Sequence, residues 1–443
     1  MSDGPARDDD PRGAIARLPM HRMQIVVVVL CIALNALDGF DVLSISFAAP
    51  GIAAEWGIEP AMLGVVLSME LLGMAAGSIL IGNLADRIGR RPTILSCLVV
   101  MAVGMFTAAF ADRIWVLSAA RLLTGLGIGG MIASTSALVA EFSSDKRRDL
   151  NMALNIAGYT LGVVVGGAIV SSLIAELSQW RSVFLFGGAV TALAIPLAYF
   201  YLPESIGSLL ARRPTNALEQ INATLKRMDI APIAGLPPIP AQTEKPSIAV
   251  LFSARYAPMT ILLSVAYFAG IMCFYFVQKW TPKIVVDLGF DPSQAGRVLV
   301  CANIGAFLGG VAIGLASQRF KLRPVIIGSM ILAFIMVTIF GLGYRDLVVL
   351  SVLAGIAGFF VNSSMVGMYP IFAQTFPETL RASGTGFVIG MGRGASALGP
   401  VVAGFLFANG FGLSAVAAAM ASGMLVAAVT IALLTWVQSR PRA

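Results

Sequence analysis

Apolar residues in this chain come in long, nearly unbroken runs, neither alternating as in a strand nor confined to one stripe of a helix. The first run opens with Ile25-Val26-Val27-Val28-Val29-Leu30 and continues to Ile45-Ser46-Phe47-Ala48-Ala49. About 20 such residues, at about 1.5 Å of rise each, match the ~30 Å hydrocarbon core of a bilayer. Windows of that length predict spans over 24–48, 61–84, 93–111, 115–140, 151–174 and 182–202. A second set follows over 258–282, 293–317, 323–343, 347–372, 384–408 and 412–436. The chain therefore reads as an all-α integral membrane protein with twelve transmembrane helices in two six-helix halves. Its parts are a tail over 1–23, a first half over 24–202, a linker over 203–257, a second half over 258–436 and a tail over 437–443. The linker carries Arg212, Arg213, Lys226, Arg227 and the run Leu236-Pro237-Pro238-Ile239-Pro240. That composition predicts a partly disordered segment with one surface helix around 215–228.

Composition agrees. With 58% hydrophobic and 12% charged residues, 443 residues carry more apolar surface than a soluble fold hides. The net charge of +7 does not point to nucleic acid, because the bases are spread over short loops. They gather before span 1 (Arg7, Arg12, Arg17, Arg22), after span 2 (Arg87, Arg90, Arg91) and after span 4 (Lys146, Arg147, Arg148). Others fill the linker, the loop after span 8 (Arg319, Lys321, Arg323) and the end of the chain (Arg440, Arg442), whereas the opposite loops hold isolated bases such as Arg113, Arg181 and Arg345. Both termini and the linker are thus expected on the cytoplasmic side. Cys31, Cys97, Cys273 and Cys301 lie within apolar runs without metal or redox spacing, and His21 stands alone at the edge of span 1. No metal site and no cofactor are expected. Span 1 is too long for a signal-peptide core and should be retained.

Asp38-Gly39-Phe40-Asp41 interrupts span 1. A charge at the bilayer centre costs about 2.5–3.5 kcal/mol on insertion scales, so intramembrane acids are functional by default. Two carboxylates three residues apart share a helix face and are candidates to bind and release protons. The bland alternative is that they hold helices together by pairing with Arg393, Arg121 or a hydroxyl of span 4. Glycines at every fourth position, Gly158, Gly162 and Gly166 in span 5 and Gly73 and Gly77 in span 2, suit close helix approach.

The halves repeat one motif. Gly82-Asn83-Leu84-Ala85-Asp86-Arg87-Ile88-Gly89-Arg90-Arg91-Pro92 follows span 2, and Gly314-Leu315-Ala316-Ser317-Gln318-Arg319-Phe320-Lys321-Leu322-Arg323-Pro324 follows span 8 at a constant offset. Both copies are on the same side, so the repeats are parallel. The first copy resembles the loop 2–3 signature of the major facilitator superfamily. Arg121-Leu122-Leu123-Thr124-Gly125-Leu126-Gly127, Glu141 with Arg147 and Arg148, Pro203-Glu204-Ser205, and Phe376-Pro377-Glu378-Thr379-Leu380-Arg381 extend the resemblance over nearly the whole chain. Asp38-Gly39-Phe40-Asp41 is similar to the span 1 motif of the aromatic acid:proton symporters, bacterial inner-membrane importers of compounds such as 4-hydroxybenzoate, protocatechuate and muconate. Gly392-Arg393-Gly394, Tyr267-Phe268 and Trp280-Thr281-Pro282 also look like that subfamily.

The resemblance implies alternating access, driven by the proton gradient. Asp38, Asp41, Arg121 and Glu141 would couple protons. Arg393, with its planar fork, would take the substrate carboxylate. Tyr267 and Tyr275 are the span 7 aromatics chosen to stack or hydrogen-bond a benzenoid ring, and Asn362 is a polar group at cavity depth. Gly82, Asp86, Arg87, Gly89, Arg90, Arg91 and Arg381 would gate the cytoplasmic face. The expected partners are a small aromatic carboxylate, protons and lipid, and a monomer suffices. Three positions depart from the pattern: Gln318 replaces an acid, Glu70 lies mid-span where a small residue is expected, and Lys279 appears near the outer end of span 7 as a second accessory charge. A transporter of another organic acid, of a sugar or of a drug is the nearest alternative. An enzyme would need a nucleophile–base pair or metal cluster that the residues do not offer. A sensor would bind ligand without accumulating it and tolerate Asp41→Asn.

Overall fold

The computed structural model describes residues 10–238 and 248–439. Ile239 and Pro240 of the Pro-rich run, Arg7, Arg440 and Arg442 fall outside the described residues. A short helix α1 (Pro11–Arg17) precedes the first six long helices: α2 (Arg22–Trp56), α3 (Pro60–Ile88), α4 (Arg90–Ala109), α5 (Ile114–Glu141), α6 (Asp145–Leu177) and α7 (Arg181–Tyr201). Among its described residues the linker contributes α8 (Ile206–Arg212), α9 (Ala217–Lys226) and a 3-10 turn at Ile248–Phe252, where one helix was expected. The second set is α10 (Ala257–Asp287), α11 (Pro292–Arg319), α12 (Leu322–Phe340), α13 (Leu347–Thr375), α14 (Glu378–Ala408) and α15 (Leu413–Ser439). Twelve of these helices are long and apolar enough to cross a membrane, and no strand occurs among the described residues.

Several long helices, α2 and α3 among them, overrun the predicted spans because their ends are capped beyond the apolar window. His21 and Gln24 form a reciprocal cap at the start of α2, and Gly57 closes it in the left-handed conformation at φ 59°. Likewise α3 continues through the loop motif to Ile88. The predicted loop is therefore the last turn of a helix followed by Gly89.

Small residues set the packing. A Cβ on Gly73 or Gly77 would lie 2.2 Å from a backbone oxygen of α5, and one on Gly125 or Gly129 would strike α3 in return. Between α11 and α13 the same role falls to Gly305, Gly309 and Gly358. Gly158, Gly162 and Gly166 of α6 take Ile32, Ala36 and Phe40 of α2. In the absence of a hydrophobic drive between helices, this close approach maximises dispersion contact.

The halves meet at the face opposite the termini. A Cβ on Gly64 (α3) would lie 2.5 Å from the Pro400 carbonyl (α14), and one on Gly404 would be equally close to the Pro60 carbonyl. Ser171 of α6 fills the space beside Gly296 of α11, and Val300 meets Gly167. At the other face, Gly82, Gly314, Gly386 and Gly390 have nothing within 4 Å of a would-be Cβ. The close contacts between the halves thus lie at the face opposite the termini.

Candidate functional site

Asp38 and Asp41 are fully buried on α2, and no carboxylate oxygen of either is hydrogen-bonded by a described residue, although the Thr191 hydroxyl of α7, which donates to the Gly187 carbonyl oxygen at 2.8 Å, lies near enough to act on Asp41. Neither aspartate makes an ion pair with a described residue, and Asp41 meets Arg121 only as a charge nearby, without a side-chain bond between them. Asp41 lies beside Gly187 of α7, where a Cβ would come within 3.2 Å of its Oδ1. Its main chain, not its side chain, reaches the nearby cation: the Arg121 guanidinium donates to the Asp41 carbonyl oxygen at 2.9 Å. Arg121 also donates to the Met105 sulfur at 3.0 Å and rests 5.3 Å from the centre of the Phe184 ring.

The ion-pair partner of Arg121 is Glu70 on α3. A second cation joins from the other half. Lys279 of α10 has its Nζ 3.6 Å from Glu70 Oε2 and donates to the Val42 carbonyl oxygen of α2. All three side chains have zero exposure. The sequence placed Lys279 near the outer end of its span, whereas α10 runs on to Asp287 and draws Lys279 two turns inside. Neighbouring Gln278 is held by a reciprocal amide pair with Asn303, at 3.0 and 3.1 Å. The cluster thus opposes three carboxylates to two cations.

Beyond the cluster lies a ring of phenols. Tyr159 of α6 interacts electrostatically with Asp38, Glu70, Tyr275 and Arg393, and Tyr275 of α10 with Arg393, Tyr369 and Glu70. Tyr267 stands further along α10. Its hydroxyl is 3.2 Å from that of Tyr369, its ring meets Phe372 edge-on at 5.2 Å, and the bare face of Gly392 makes room for it. Arg393 is half-buried and forms no ion pair with any described residue. By helical spacing it shares a face of α14 with Gly386 and Gly390, opposite the exposed apolar row Met391, Leu398 and Phe405. Asn362 is placed differently: its amide donates to the Ala306 carbonyl oxygen at 2.6 Å, which ties α13 to α11.

Of the residues expected to gate, Asp86, Gly89, Arg90 and Arg91 form one module with Glu204 and Tyr199, and Arg381 lies outside it in the second half. Gly89 adopts φ 110°, and a Cβ there would lie 2.3 Å from the Glu204 carboxylate. Glu204 accepts from the Arg90 and Arg91 main-chain N–H groups at 2.8 and 3.4 Å, so it caps the start of α4. Asp86 pairs with Arg90 at 2.9 Å, and Arg91 donates to the Tyr199 carbonyl oxygen at 2.6 Å. Arg87 and Arg381 are exposed, and no contact joins them. Glu141 accepts from the Ser205 hydroxyl at 2.6 Å and from the Gly207 N–H, which anchors α8 to the end of α5. It does not pair with Arg147 or Arg148; Arg148 bonds Asp145 at 3.2 Å.

Sequence reasoning missed Tyr369 as a partner of Tyr267 and left Glu70 and Lys279 without a link. The signal for the latter was the presence of two opposite, unexplained charges in separate spans.

The chain is 30% identical over 415 residues to the 4-hydroxybenzoate transporter PcaK of Pseudomonas aeruginosa, covering 93% of this chain and 92% of that protein. It is 29% identical over 407 residues to the gallate transporter of Pseudomonas putida, covering 91% and 90%. The crystal structure of the nucleoside transporter NupG superposes with a TM-score of 0.73 at 16% identity, over 93% of this chain and all of that one, which speaks for the fold alone. The Major Facilitator Superfamily matches residues 30–296 and 263–443. With twelve spanning helices in two repeats around a buried charge cluster, the chain belongs to the Major Facilitator Superfamily and is a membrane transporter, not an enzyme.

Proposed function

We propose that this transporter is a proton-coupled importer of small aromatic carboxylates such as 4-hydroxybenzoate, working by alternating access in a bacterial inner membrane with both termini cytoplasmic. The observation that carries this reading is the Asp38–Asp41 pair, which with Glu70, Arg121 and Lys279 makes a buried cluster one positive charge short of neutrality, and the unpaired Arg393 reached across a phenol ring. A carboxylate needs a cation in a site poor in water, and a guanidinium offers two parallel donors. Tyr267, Tyr275 and Tyr369 supply flat apolar faces and hydroxyls for a substituted ring. One proton on the acid cluster removes its excess charge, which lowers the cost of closing the halves over it. Substrate and proton bind from outside, the halves rock, and the acid gives up its proton to the cytoplasm. A monoanion with one proton is electroneutral; a second proton would gain about 2.3 kcal/mol per 100 mV.

The names of the relatives support the cargo class. The spread of the basic residues supports the orientation. Uptake of labelled 4-hydroxybenzoate by cells expressing the chain, with and without a protonophore, tests the reading. Accumulation that collapses with the protonophore is expected. Absence of uptake by protein present in the membrane would reject this cargo, and uptake indifferent to the protonophore would reject proton coupling.

A further inference from the structure

Glu70 and Lys279 come from opposite halves of the molecule, and the import cycle above counts their charges but gives their contact no role. They nevertheless meet at 3.6 Å, both without solvent exposure, while the Lys279 ammonium also donates to the Val42 carbonyl oxygen. Every polar contact described for Lys279 thus crosses from the second half to the first. Glu70 differs, because it keeps Arg121 within its own half. Its Oε2, the oxygen that faces Lys279, has no hydrogen bond.

The pair is placed where it matters to the cycle. Around it the halves are sealed by Gly64 against Pro400, by Gly404 against Pro60 and by Ser171 against Gly296. Opening that seal moves α10 away from α3 and α2. Lys279 would then leave both of its partners, and a buried charge parted from its counter-ion is strongly unfavourable unless the charge is neutralised or rehydrated. The groups facing Glu70 are Arg121 from α5, Lys279 and Tyr275 from α10, Asp41 from α2 and Tyr159 from α6. A proton on Glu70 would leave Asp38 and Asp41 facing Arg121 and Lys279 in balance.

We propose that Glu70 and Lys279 form an inter-half lock that holds the face opposite the termini shut, and that protonation of Glu70 releases it. The two residues position the halves; they are not assigned to the substrate. The proposal rests on the fold and the ion pair, and its test needs no substrate, so it stands or fails apart from the cargo reading.

The test places a reporter in the seal. Ser171 is buried between α6 and α11, and Ser171→Cys is nearly isosteric. Full-length protein in detergent is treated with N-ethylmaleimide, and modification at residue 171 is quantified by mass spectrometry. Each rate is divided by that of the unfolded protein at the same pH, which removes the intrinsic thiol titration. With the lock intact, modification is slow at alkaline pH and at least about fivefold faster at mildly acidic pH. In Lys279→Gln and in Glu70→Gln it is fast at both, and the pH response is lost. Glu70→Gln leaves Lys279 without its carboxylate, whereas Lys279→Gln leaves Glu70 with Arg121 alone, so the double variant Glu70→Gln/Lys279→Gln, which leaves neither member of the pair charged, is measured beside them. It should match the faster single variant. A double variant that remains monodisperse, is modified as slowly as the parent and keeps the pH response overturns the lock.

Discussion

In the first half, Gly73 and Gly77 of α3 press on α5; in the second, Gly305 and Gly309 of α11 press on α13. The backbones repeat, but the side chains at the centre do not. The first half places Asp38, Asp41, Glu70 and Arg121 in a buried cluster, while the second brings Tyr267, Tyr275, Tyr369 and Arg393 within electrostatic reach of one another. On the function proposed above, one scaffold would separate two tasks: acids placed to exchange protons in the first half, and groups that suit an aromatic anion in the second. Lys279 is the exception, a cation of the second half whose partners belong to the first.

The largest expected effect comes from the acid side. Asp41→Asn should reduce accumulation to simple equilibration while exchange of labelled for unlabelled substrate survives, because occupancy no longer depends on a proton. Uptake and counterflow in proteoliposomes, measured side by side, check this. Full accumulation in that variant would erase the division between the halves. On the other side, Arg393→Gln should raise the KM for uptake roughly 10–100-fold, the equivalent of about 1.5–3 kcal/mol for a hydrogen bond to a charged group. Proton dependence should persist. A variant that lost coupling but kept KM would reverse the assignment.

The repeated loop gives a finer contrast. Gly89 has positive φ and no room for a Cβ beside Glu204, so Gly89→Ala should cost about 1–3 kcal/mol. Gly314, within α11, has nothing within 4 Å, and Gly314→Ala should stabilise by about 0.5–1 kcal/mol through helix propensity. Thermal unfolding in detergent, followed by intrinsic fluorescence, should move in opposite directions for the two.

How much of this was legible in the sequence follows from the range of each interaction. The spans, the glycine contacts and the buried Asp pair depend on nearby residues and on the exclusion of water, and a one-dimensional pattern records both. Helix ends depend on capping: His21 with Gln24, and the left-handed Gly57, lie outside the apolar window and lengthen α2 past it. The Arg121–Glu70–Lys279 link joins three helices, so no local spacing encodes it. Asn362 shows the converse. A polar residue at cavity depth is indistinguishable in sequence from one that ties two helices, and here it bonds the Ala306 carbonyl oxygen. Glu141 is likewise a cap on α8, which the linker composition did not foretell.

The smallest effect separates the two loops by charge. Asp86, in the last turn of α3, pairs across Gly89 with Arg90 at the start of α4, at 2.9 Å. In the second copy Gln318 takes the place of Asp86, but Leu322 takes the place of Arg90, so the acid and its partner are both missing. Restoring only the acid should therefore achieve nothing. Gln318→Asp creates an exposed charge without its natural counter-ion and should shift stability by less than about 0.5 kcal/mol. Gln318→Asp with Leu322→Arg should recover a pair worth about 0.3–0.5 kcal/mol at low salt, fading as ionic strength rises. A double-mutant cycle on thermal unfolding at two salt concentrations reads the coupling directly. Full coupling energy in Gln318→Asp alone would mean that Arg319 or Arg323 already fills the role of Arg90, and the second loop would be a working copy of the first. No coupling even in the double variant would mean that the pair forms only where Glu204 fixes the start of the following helix. That support is specific to the first half: Glu204 accepts from the Arg90 and Arg91 main chain, and Gly89 leaves room for it.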